Sequence, residues 1–175
     1  MADIKQSANP LFLREEELRQ GMELLFFAYR DHTMQPDRML KEIGYGRAHH
    51  RVIFFVGRYP HMPVSELLGI LSITKQSLSR VLGQLVADGY IVQKPGREDR
   101  RQRLLELTES GRALERSLID DQLQRIARAY RAAGAEAVEG FRTVLLGMVN
   151  DSDRNRLEER RVARQEPGMP LRRSS

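Results

Sequence analysis

The chain has 175 residues, 29 Lys and Arg against 24 Asp and Glu, and a formal net charge of +5. At 41% hydrophobic and 30% charged it can bury the core of one domain, which excludes a wholly disordered chain. It has no cysteine, and that excludes disulfides, thiolate zinc sites, iron–sulfur clusters and thiol redox switches.

Residues 1–10 are polar and are expected to be flexible. From Leu11 onward, Leu18, Met22, Leu25, Phe26 and Tyr29 recur at helical spacing and predict a helix with a broad apolar stripe. That helix is expected to end near Thr33, with Pro36 beyond it. A second helix is predicted from Gly46 to Arg58, turning Val52, Ile53 and Val56 inward, and Pro60 and Pro63 bracket the turn that follows. Val64–Leu71 reads as a short helix with Leu67, Leu68 and Leu71 on one face. Ser72-Ile73-Thr74 is a tight connection into a helix over 75–88, where Leu78, Val81, Leu82, Leu85 and Val86 form a stripe and Gly89 suits the C-cap.

The period then changes. Tyr90–Lys94 and Arg103–Leu107 read as two short strands around the charged loop Pro95–Arg101. Thr108 is a candidate N-cap with Glu109 in the first turn of a long helix carrying Leu114, Leu118, Ile126 and Tyr130. Gly134 interrupts it, and Val138, Phe141, Leu145 and Met148 mark a last helix. Residues 151–175 are rich in charge and are expected to form a disordered basic tail.

The charge is concentrated. Ser72–Arg103 holds seven basic and three acidic residues, a net of +4, on a body that is otherwise nearly neutral outside the tail. That is the footprint of a phosphate-backbone binder. The longest apolar runs, Leu24–Tyr29 and Val52–Val56, fall short of the ~18 residues of a membrane helix. Arg14-Glu15-Glu16-Glu17 precedes any point where a signal-peptide core could form. A soluble, cytoplasmic protein with no membrane partner is expected.

A short helix, a tight turn, a second helix and a basic hairpin follow the order of a winged helix-turn-helix, whose second helix enters the major groove. Gln76, Ser79, Arg80 and Gly83 lie opposite the Leu78–Leu85 stripe, with Lys75 and Ser77 at the helix start. Such side chains donate to phosphates and base edges, and Gly83 keeps the outward face flat.

Val64-Ser65-Glu66-Leu67 through Leu71, then Thr74-Lys75-Gln76-Ser77-Leu78-Ser79-Arg80 through Leu85-Val86, resembles the helix-turn-helix of the MarR family of bacterial transcription regulators. Ala87-Asp88-Gly89-Tyr90-Ile91 is similar to that family's usual close. Asp99-Arg100-Arg101 followed by Leu104…Leu107-Thr108-Glu109-Ser110-Gly111 is similar to its wing and exit; the match spans Arg47 to Arg112. The resemblance implies a mainly α fold with a small β-hairpin wing. A winged domain at 46–107 would be flanked by dimerisation helices at 11–45 and 108–150. It implies a homodimer reading a pseudo-palindromic double-stranded DNA operator. The contacts would come from Thr74, Lys75, Gln76, Ser77, Ser79 and Arg80, and from Lys94, Arg97, Asp99, Arg100 and Arg101 in the wing. Arg101 matches the family's minor-groove arginine, with Asp99 orienting it.

The family often binds a small anionic aromatic effector between its dimer helices and winged domain. Tyr29, His50 and Phe54 are the candidate lining here, although core packing explains the aromatics as well. Without cysteine, sensing by thiol oxidation cannot operate.

Other readings weigh less. No catalytic elbow, Walker loop or HExxH pair occurs, Gly44-Tyr45-Gly46 lacks the third glycine of a dinucleotide turn, and no enzyme activity is expected. His32, His49, His50 and His61 have no i, i+4 pair, so neither a metal nor another cofactor is expected. Only Tyr90 interleaves with the basic stretch, which argues against stacking on single-stranded RNA. A DNA-binding architectural protein without a sensing function remains the alternative.

Overall fold

Helix α1 (Glu15–Glu42) follows a single 3-10 turn at Leu11–Leu13 and opens with three glutamates, where the positive end of the helix dipole favours them. The computed structural model describes residues 11–96 and 99–165, and the chain divides into two units, Met1–Arg125 and Ile126–Ser175. The expected frayed residues 1–10 lie outside the described residues.

α1 does not stop near Thr33; Pro36 lies inside it. A proline in a helix interior removes one backbone hydrogen bond and crowds the carbonyl four residues earlier, here that of His32. The freed His32 carbonyl accepts instead from Gln122 Nε2 of helix α5 (Glu109–Ala133), at 2.9 Å. Pro36 is fully buried and Gln122 nearly so, so the exchange takes place away from water. Thr33, Pro36 and Leu40 then form the inward face of the second half of α1, whereas no residue of the first half is buried.

In the first unit, α2 (Arg47–Arg58), α3 (Val64–Leu71) and α4 (Lys75–Ala87) pack their stripes together. A small antiparallel sheet of β1 (Met62–Pro63), β2 (Ile91–Pro95) and β3 (Arg103–Leu107) runs in the order β1-β3-β2. Leu40, Val52, Ile53, Leu67, Leu78, Leu85, Ile91, Leu105 and Leu118 are at most 1% exposed and form the core. Val86, expected in the α4 stripe, lies at its margin and is exposed. β1 replaces the turn expected between the two prolines: Met62 pairs with Leu105 and Pro63 with Leu104, and His61 N–H donates to Leu105 O. Two residues carry no periodicity, so this strand exists only through its partner.

α4 closes with two bonds of a Schellman motif, Gly89 N–H to Val86 O and Tyr90 N–H to Leu85 O. Gly89 has φ 76°, a conformation that suits glycine.

In the second unit, α6 (Ala135–Met148) follows Gly134 and buries no residue, and Tyr130 meets Phe141 edge-on at 6.3 Å. The segment expected to be disordered continues as α7 (Asp151–Gln165). Asn150 Oδ1 caps it by accepting Asp153 N–H at 2.9 Å. Arg154 donates to the carbonyls of Leu146 and Val149 at the end of α6, and Arg154–Asp151 and Arg156–Asp153 pair at i, i+3. Capping and local ion pairs therefore take the place of apolar burial. Residues 166–175 of the expected tail lie outside the described residues.

The Pro36 exchange is testable by urea unfolding. Gln122→Met leaves the His32 carbonyl buried and unpaired and is expected to cost about 1–3 kcal/mol. On a Pro36→Ala background the cost shrinks, because residue 36 then supplies its own N–H.

Candidate nucleic-acid interface

The core stripe of α4 leaves its opposite face open. Thr74 caps this helix: its Oγ1 accepts Ser77 N–H at 3.2 Å and donates to Ser77 Oγ at 2.9 Å. Thr74 and the half-buried Ser77 are thus engaged with each other. Lys75, Gln76, Ser79 and Arg80 are exposed and make no side-chain hydrogen bond or ion pair among the described residues. A methyl group added at Gly83 would meet nothing within 4 Å, so no neighbour among the described residues requires glycine there.

In the hairpin, Lys94 Nζ is held by Glu106 Oε2, and His61 Nδ1 lies 3.9 Å from the same oxygen. The Lys94 hydrogen bond holds the Glu106 carboxyl below its ordinary value. Of the basic wing residues, Lys94 is therefore neutralised locally, whereas Arg100 and Arg101 are exposed. Asp99 Oδ1 accepts the backbone N–H of Arg101 at 2.9 Å, so it orients Arg101 through the main chain. Arg97 lies outside the described residues.

The wing is joined to α5 at one crowded point. Thr108 Oγ1 donates to Gly89 O at 2.7 Å and accepts Gly111 N–H at 3.0 Å, while Thr108 N–H donates to Tyr90 O. A Cβ at Gly111 would come within 2.0 Å of Tyr90 O, so only glycine lets the first turn of α5 pass over that carbonyl. This is the physical content of the Leu107-Thr108-Glu109-Ser110-Gly111 exit.

Tyr29, His50 and Phe54 line one cavity of about 160 Å³ in the first unit, together with His32, Thr33, Arg47, Arg51 and Gln122. Arg51 donates to Tyr29 OH at 3.0 Å; Arg47 stands over the Tyr29 ring at 5.7 Å and pairs with Asp37 at 2.6 Å. His50 is 8% exposed and its Nε2 has no partner. Burial pushes the His50 imidazole below its ordinary value, against the opposing pull of Asp37, and His32 is lowered chiefly by burial as well. Sequence reasoning missed Arg47 and Arg51, although Arg47, His50, Arg51 and Phe54 fall at i, i+3, i+4 and i+7 of one helix. Gln122 gave no signal. Among the described residues no cluster of three or more His, Cys, Asp or Glu could hold a metal ion, and no helix is long and apolar enough to cross a membrane.

A model of the MarR family matches residues 43–102. Over 144 residues, 82% of this chain and 87% of the relative, the sequence is 51% identical to the HTH-type transcriptional regulator PetP of Rhodobacter capsulatus. The chain belongs to the MarR family. Streptococcus pneumoniae FabT in complex with DNA shares the fold at TM-score 0.63 and 19% identity, covering 75% of this chain and 94% of that one. A mutant MarR from E. coli complexed with operator DNA does so at TM-score 0.56 and 20% identity, covering 81% and 100%. As a MarR-family member the protein is a DNA-binding transcription regulator on a winged helix-turn-helix scaffold.

Two glycines of this MarR scaffold are expected to respond in opposite directions to alanine. Gly111→Ala forces a backbone clash and lowers stability by about 1–3 kcal/mol. Gly83→Ala, in open space within a helix, raises it by about 1 kcal/mol. Thermal melting of the two variants checks both signs.

Proposed function

We propose that this regulator acts as a homodimer on a pseudo-palindromic operator, with α4 in the major groove and the wing loop at the minor groove. The observation that carries the reading is the set of exposed donors with no partner among the described residues, Lys75, Gln76, Ser79 and Arg80, on a helix whose other face is the core. Arginine can clasp a guanine edge bidentately, which suits Arg80, while Arg100 and Arg101 suit phosphates and a narrow groove. Lys94 joins them where a phosphate displaces Glu106. The DNA complexes of FabT and of the E. coli MarR mutant support the reading at the level of the fold.

The dimer is supported by apolar surface that nothing among the described residues covers. Leu18, Met22, Leu24 and Phe26 of α1 are 52–71% exposed, and Phe141, Val144 and Met148 of α6 are 47–62% exposed. Exposed apolar stripes of this kind mark an interaction site on each helix, and on this reading residues 11–45 and 108–150 serve as dimerisation helices. A folded dimer spaces its two α4 helices for half-sites about 34–36 Å apart.

The cavity beside α2 supports release by a small aromatic carboxylate. Its volume of about 160 Å³ is on the scale of the ~150 Å³ cavity that admits benzene. Arg51 supplies positive charge, Arg47 joins it where a carboxylate displaces Asp37, and Tyr29 and Phe54 supply apolar walls. A ~100-fold loss of DNA affinity requires ~2.7 kcal/mol of coupling between ligand and DNA.

Sedimentation at micromolar concentration is expected to show about twice 20.2 kDa; a stable folded monomer would refute the dimer. In gel shifts on the protein's own upstream region, Arg80→Ala is expected to lose ~1–3 kcal/mol on operator and much less on random duplex. Arg101→Ala should weaken both and lower the salt slope by about one unit. Equal affinity of the wild type for both duplexes would favour the architectural alternative.

Aromatic carboxylates at millimolar concentration are expected to weaken operator binding, less so in Arg51→Met, while peroxide changes nothing. If no acid acts on the wild type, the cavity is only a packing defect.

A further inference from the structure

The second half of α4 carries a side chain that sequence reasoning passed over. Gly46 donates its backbone N–H to His49 Nδ1 at 3.1 Å. A neutral imidazole nitrogen that accepts carries no proton, so the ring proton sits on Nε2. His49 Nε2 lies 3.0 Å from Gln84 Oε1, which therefore accepts. The amide nitrogen of Gln84 keeps both its hydrogens unspent, since it has no partner among the described residues. Tyr45 stacks on His49 with ring centroids 4.4 Å apart and planes 4° from parallel, and its hydroxyl donates to Asp88 at the α4 C-cap. The ring, the amide and the end of the recognition helix are thus braced together. Gln84 is exposed and stands four residues after Arg80, adjacent to it on the helix surface.

We propose that Gln84 is a DNA-backbone contact, its amide donating to a phosphate oxygen, and that His49 is the positioning residue that sets the amide. The inference rests on the reading of α4 as the groove helix. Glutamine reads adenine bidentately with its oxygen and its nitrogen together. Here the oxygen is spent on His49, and what remains is donor only. Phosphate oxygens only accept, so they match it. Base reading is led by the N-terminal residues of a recognition helix, and contacts farther along fix register on the backbone.

The test measures binding to operator and to unrelated duplex for Gln84→Met, Gln84→Glu, His49→Ala and the double variant His49→Ala/Gln84→Met, with Arg80→Ala as reference and melting temperatures as a check on folding. Gln84→Met, similar in length and neutral, is expected to weaken both duplexes by about tenfold, the scale of one hydrogen bond to a charged group. Gln84→Glu still accepts from His49, so it should melt no lower than the wild type yet bind both duplexes at least as weakly as Gln84→Met. His49→Ala should show part of the loss, and the double variant should be no weaker than Gln84→Met alone. Wild-type affinity in both Gln84 variants, with Arg80→Ala weakened on operator, overturns the proposal and leaves the α4 reading standing. Wild-type affinity in Arg80→Ala as well overturns both. A double variant whose losses add overturns the positioning role of His49.

Discussion

The Thr108 hydroxyl holds three elements in one place. It donates to the carbonyl of Gly89, just past the end of α4, and accepts the N–H of Gly111 in the first turn of α5. The same residue's backbone pairs with Tyr90 at the entrance to β2. α4, the hairpin and α5 therefore leave from a single hydrogen-bonded knot, and the close approach at Gly111 removes the slack that any side chain would introduce. The proposed recognition of DNA by α4 and the wing together needs such a fixed angle, because donors on two elements would have to meet one duplex in register.

α2 is the other shared element. Arg47, His50, Arg51 and Phe54 turn toward the cavity, whereas His49 reaches Gln84 on α4. A group bound in the cavity would press on the same short helix that braces α4. The opposite wall is built from α1 and α5, joined where Pro36 frees the His32 carbonyl for Gln122. Two of these side chains, His50 and Gln122, are polar groups largely removed from water, an arrangement whose cost depends on their partners being in place.

Helix order, the hairpin and the open face of α4 were legible in the sequence, because each depends on local periodicity and on one or two cap residues. Thr108 and Gly111 were legible as a pattern, but their reason was not: the carbonyl of Tyr90, distant in sequence, decides that residue 111 has no side chain. Pro36 misled, since proline ends helices unless a distant donor satisfies the orphaned carbonyl. The charged segment from Asp151 to Gln165 misled for the opposite reason: capping and i, i+3 pairs sustain a helix without apolar burial.

By itself the sequence determined which faces are apolar, where the basic donors cluster and that no thiol chemistry is available, since these follow from composition and from spacing along one helix or strand. The tertiary structure alone decided which donors are free. It spent Lys94 on Glu106, left the Arg80 side chain with no partner among the described residues, and left the Gln84 amide nitrogen as a free donor among the described residues by taking its oxygen for His49. Those pairings join residues far apart in the chain, and a hydrogen bond depends on where two groups meet in space rather than on what either one is.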